Sequence, residues 1–221
     1  MSIWSDLADQ SRELQNQFDV FKKLLNSDQV KNVDKDIKAL EKYETQILWL
    51  IEHGPQNEQD SDMSIETFVR RVEDNRFSLD ESNLKLVTDY ASARDSLLKV
   101  LIDLGREIRR ASNSDSQSTS RLTKILLNLQ KIFTVTGEMA ASAECDRIGR
   151  ALSSQNVSPH MQKENERTLL KSVVDLVVIA IGAVKRAAGH LAVNMKSWSA
   201  GKWEEISKYL NQHKNEGFKP L

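Results

Sequence analysis

The chain is poor in the residues that break helices. Its 221 residues include 8 glycines and 3 prolines, roughly 5% of the total against the ~12% of average proteins. Turns and strand ends are built from those residues, so long helices are expected. A single cysteine, Cys145, excludes an intramolecular disulfide and with it the small, stapled secreted class. Neither charge dominates: Lys+Arg 31 stand against Asp+Glu 32, a formal net charge of -1. That balance excludes a globally basic nucleic-acid binder, and nucleic acid is not an expected partner. The N-terminus, Met1 to Leu7, lacks the basic segment and apolar core of a secretory signal. A cytoplasmic location is the default expectation, although leaderless export or delivery into a host would leave the same sequence. Asn156-Val157-Ser158 spells a glycosylation sequon, but Pro159 follows it, and the serine and proline read better as the start of a helix.

Motifs for chemistry are equally scarce. His53, His160, His190 and His213 are dispersed, without the H-E-x-x-H or E-x-x-H spacing that metal sites on helices need. The glycine-rich phosphate loops and the G-x-S-x-G elbow do not occur. Cys145 lies between Glu144 and Asp146, whose carboxylates raise a thiol pKa and argue against an activated nucleophile. No catalytic residue, cofactor or metal is therefore expected.

What the sequence does have is apolar spacing of three and four. Trp4, Leu7, Leu14, Phe18, Phe21 and Leu25 form one seam, interrupted at Ser11. The seam resumes at Val30, Val33, Ile37, Leu40, Ile47 and Ile51, with a five-residue offset after Leu25 that predicts a break near Ser27. Tyr43, Leu48, Trp49 and Leu50 widen this face before His53-Gly54-Pro55 ends it. Residues 56–63 read as a polar loop and residues 65–73 as a short helix. Ser78 and Glu81 have capping-box spacing and open a helix through Leu84, Val87, Tyr90, Ala91, Leu97, Leu98, Leu101, Ile102, Leu104 and Ile108. The polar run from Ser112 to Ser120 reads as a loop. A helix resumes at Arg121 and continues, bent or as two, to Leu152. Ser158-Pro159 opens the last long helix, expected to reach Trp198 and to bend at Ser199-Ala200-Gly201.

Three features invite a functional reading. Val173 to Val184 is apolar on every side except at Asp175. Twelve residues fall short of the ~20 that span a bilayer, so a central packed helix is the main expectation. Insertion into a membrane after a rearrangement is the alternative, carried by Val174, Val177, Val178 and Ile181 with Trp198 and Trp203 as interfacial rings. Arg106, Arg109, Arg110, Arg121 and Lys124 flank the serine-rich loop, where a hairpin would gather them into an anion or lipid contact. The seam of Trp4, Leu7, Leu14, Phe18, Phe21 and Leu25 would suit a partner or a second copy.

The expected fold is all-α, an elongated bundle of six or seven helices with coiled-coil character in the N-terminal region. Residues 1–54 and 64–221 are expected to pack as one domain. The expected function is non-enzymatic association with a protein partner or with itself; membrane action is the alternative, and an enzyme without a recognisable motif is a weaker one.

Overall fold

The five-residue offset after Leu25 becomes a true break. The first helix, α1 (Ile3–Lys22), tightens at its end, where Lys23, Leu24 and Leu25 N–H donate to the carbonyls three residues back. The next, α2 (Ser27–His53), is capped reciprocally. Gln29 N–H donates to Asn26 Oδ1 at 2.9 Å, and Asn26 N–H to Gln29 Oε1 at 3.3 Å, so two orphan backbone donors are satisfied by one residue pair. The computed structural model describes residues 3–53, 81–112, 118–153 and 159–213. Its other elements are α3 (Glu81–Ser112), α4 (Ser118–Thr136), α5 (Met139–Ser153) and α6 (Pro159–His213). The fold is all-helical, with no strand among the described residues.

The stripe running from Leu122 to Leu152 is divided into two helices by Gly137, whose φ is +76°. Glu138 N–H donates to the Phe133 carbonyl at 2.8 Å, closing α4 in the six-to-one pattern that requires a left-handed residue just past the helix end. α4 begins at Ser118, three residues before the expected start at Arg121. The last helix does not stop near Trp198: α6 continues through Ser199-Ala200-Gly201 to His213 without a break. A glycine inside a helix costs only about 1 kcal/mol, and continued backbone hydrogen bonding through Ala200 and Gly201 outweighs it. The short helix at 65–73, Ser78 of the capping box and positions 113–117 of the serine-rich run lie outside the described residues.

α6 is the axis of the fold. Its 55 residues extend about 80 Å at 1.5 Å per residue, and it packs against α2, α3, α4 and α5. α2 lies parallel to it in constant register. Gln29 Nε2 donates to Asp175 Oδ1 at 3.0 Å, Asp36 pairs with Lys185 at 2.9 Å and approaches Gly182, and Tyr43 lies against Gly189. Residues 29, 36 and 43 thus meet 175, 182 and 189, each series stepping by seven. A Cβ at Gly189 would lie 3.1 Å from the Tyr43 ring, so the glycine admits the aromatic face. α1 and α2 fold back on each other, and α1 runs parallel to α3, with Gln17 and Val20 beside Gly105. α3 and α4 pack along much of their length.

Gly137→Ala is expected to lower stability by about 1 kcal/mol through the positive φ alone, since a Cβ there would meet nothing within 4 Å. Gly137→Asn should cost less, because asparagine tolerates the left-handed region. Urea midpoints of the two variants check the order.

Candidate functional site

Three apolar seams each contain one polar residue where a core side chain belongs. Ser11 falls between Leu7 and Leu14 on α1, Glu44 between Leu40 and Ile47 on α2, and Arg94 between Tyr90 and Leu97 on α3. The structure brings all three together. Arg94 is 0% exposed, buried among the core residues of α3. Its Nε donates to Glu44 Oε1, and its Nη2 donates to Glu44 Oε2 at 3.2 Å and to Ser11 Oγ at 3.0 Å. Tyr90, one turn before Arg94, donates its hydroxyl to the same Glu44 Oε1. The α2 and α3 backbones make no close approach among the described residues, so the long side chains of Arg94 and Glu44 bridge the gap.

Burial explains the chemistry of this layer. An isolated buried guanidinium carries a large desolvation cost, which a bidentate carboxylate offsets. Burial, and after it the charge of Glu44, push the Tyr90 phenol well above its ordinary value, so the hydroxyl stays protonated and keeps donating. The guanidinium presents one fork, Nε and Nη2, to Glu44. Its far atom, Nη1, is buried without an acceptor among the described residues. The arrangement aligns three helices and offers one unused donor.

The residues singled out in the sequence have other placements. Leu14, Phe18 and Phe21 are buried in the chain's own core, and Leu25 packs against it half-buried; the side chains of Trp4 and Leu7 lie outside the described residues. Val177 and Ile181 are fully buried, whereas Val174, Val178 and Trp198 lie at the core's margin; the Trp203 side chain is outside the described residues. Within the segment from Val173 to Val184 only Asp175 and Ile179 are exposed, so lipid contact by Val177 or Ile181 would require taking them out of the core. No described helix is long and apolar enough to cross a membrane.

Around the end of α3 three of the five cations pair with carboxylates of the chain itself. Arg110 pairs with Glu107 at 2.6 Å, Arg121 reaches the same carboxylate at 3.7 Å, and Glu107 is only 2% exposed. Arg106 pairs with Asp103 at 3.5 Å, and Arg109 Nε donates to the Gly105 carbonyl at 3.2 Å. Lys124 is exposed. Sequence reasoning noticed these cations and the interruption at Ser11, but not Glu107, Glu44 or Arg94. The available signal was a charge occupying a core position of an otherwise regular three-and-four spacing.

Among the described residues no group of three or more His, Cys, Asp and Glu side chains is placed to hold a metal. Comparison with known protein families, with characterised proteins and with solved structures finds no match to this chain.

Cys145 is buried on α5, and its thiol is pushed up to about 12, first by burial and then by Asp146 and Glu144. The folded protein therefore holds this proton more tightly than the unfolded chain. The contribution is fully present below about pH 9 and is lost as pH climbs toward about 12. Wild type is expected to lose more stability between pH 8 and 10.5 than Cys145→Ala, as read from urea midpoints at both pH values. Maleimide labelling at pH 8 should be slow in the native state and fast in urea.

Proposed function

We propose that the protein is a non-enzymatic helical bundle, with coiled-coil character in its N-terminal helices, that works by association through helix faces. In this reading residues 1–54 and 64–221 form one domain in the cytoplasm, and the partner is a protein or a second copy. The observation that carries it is a stripe on α6 that the described helices leave open. Ile179 is 42% exposed and Val193 is 65% exposed; they lie seven residues to either side of Arg186, which pairs with Glu138. Met139, beside that glutamate, is 71% exposed. Ile179 and Val193 share one face of α6 with the paired Arg186 midway between them, and exposed apolar residues on one helix face suit a further helix. The registered α2 and α6 pair supports the reading too, since it uses the same seven-residue step. Membrane insertion is the lesser reading, because Val177 and Ile181 support the core.

The association reading expects a light-scattering mass that rises with concentration above 25.1 kDa, or a partner captured by wild type. Val193→Asp should return the mass to that of a monomer, or release the partner, without changing the unfolding free energy from urea titration by more than about 0.5 kcal/mol. A chain that stays monomeric and binds nothing, or an assembly indifferent to Val193→Asp, would contradict it.

A further inference from the structure

We propose that the seat of α1 on α3 is a docking groove for a partner helix carrying a carboxylate where α1 carries Ser11. The proposal rests on the association reading above but uses a different face of the molecule. Among the described residues α1 packs on α3, touches α2 lightly and meets no other helix. An element that makes no contact with α6 can leave without uncovering the axis of the fold. What it would uncover is the part of α3 with Arg94 at its centre.

The occupant is specified by the guanidinium. One fork of Arg94 is filled by Glu44. Its outer end, Nη1 and Nη2, receives only the single oxygen of Ser11, on Nη2 at 3.0 Å, while Nη1 stays buried without an acceptor among the described residues. The outer fork of a guanidinium matches two carboxylate oxygens, and such charge-assisted pairs are stronger than a hydroxyl contact. The chain's own helix is thus an incomplete occupant of its seat. It holds through Leu14, Phe18 and Phe21 and through tethering, which supplies an effective concentration on the order of millimolar. An amphipathic helix with apolar residues at these three positions and Asp or Glu at the Ser11 position would fill both fork atoms and displace it.

The test uses the full chain and two fluorescein-labelled peptides of residues 3–22, one native and one with Ser11→Glu, read by anisotropy. The Ser11→Glu peptide is expected to bind at least tenfold more tightly than the native one. In a full-length Ser11→Glu protein the chain's own α1 fills the fork, so the same peptide should bind at least tenfold more weakly than to wild type. Arg94→Lys, which keeps the charge and removes the fork, should abolish the difference between the peptides; a melting curve checks that it folds, and the Ser11→Glu protein decides the matter if it does not. Equal affinity of the two peptides, binding of neither, or binding unchanged in the Ser11→Glu protein overturns the proposal. The response of mass to Val193→Asp is read separately, so failure of the groove and failure of association through α6 are distinguishable.

Discussion

Three helices, α1, α2 and α3, converge on one buried charge. Arg94 lies where the spacing of α3 calls for an apolar residue, and a guanidinium in such a place is tolerated only if its donors are met. Glu44 meets Nε and Nη2 from α2, Ser11 meets Nη2 from α1, and Tyr90 braces the carboxylate from α3 itself, so that Nη1 alone is left over. The consequence is geometric. Sliding α1 or α2 by one turn would preserve much of the apolar contact, because Leu14, Phe18 and Phe21 or Val33, Ile37 and Leu40 recur with the helix period. It would take Ser11 or Glu44 away from Arg94. Apolar burial supplies most of the adhesion, and the polar layer selects which of several similar alignments is used.

The C-terminal half is aligned by a different device. α6 contributes Val173, Val177, Ala180, Ile181, Val184 and Ala188 to the core, surfaces too similar along the helix to define a register. The polar partners sit at the margins instead: Gln29 with Asp175, and Asp36 with Lys185. Partly exposed ion pairs contribute on the order of 0–1 kcal/mol each, so their part is placement rather than strength. Gly189 adds a steric element by giving the Tyr43 ring a flat seat. Both halves therefore combine a repetitive apolar seam with a few non-repetitive contacts.

The all-helical fold was legible because its causes are local. Scarce glycine and proline, apolar spacing of three and four, the offset after Leu25 and the weak stripe near Gly137 act within a turn or two of chain, and the breaks fell where they pointed. Serine at position 11 was visible as an interruption. Its meaning was not, since Glu44 and Arg94 are 50 residues apart in the chain and neither is unusual alone. The cationic end of α3 was legible only in part for the same reason: Arg110 and Arg121 are plain in the sequence, whereas the burial of Glu107 between them arises only from packing. At Gly201 the sequence pointed to a bend and the helix continued, because a glycine permits a break without requiring one.

The central claim is that Arg94 and Glu44 act as a unit within one core layer, and a double-mutant cycle measures it directly. Urea unfolding of wild type, Arg94→Met, Glu44→Gln and the double variant gives the coupling energy. The account expects each single variant to be strongly destabilised and the double variant to recover part of the loss, with a coupling of about 2 kcal/mol or more. Additive effects, with coupling within about 0.5 kcal/mol of zero, would contradict it and would make Arg94 a passive member of an apolar core.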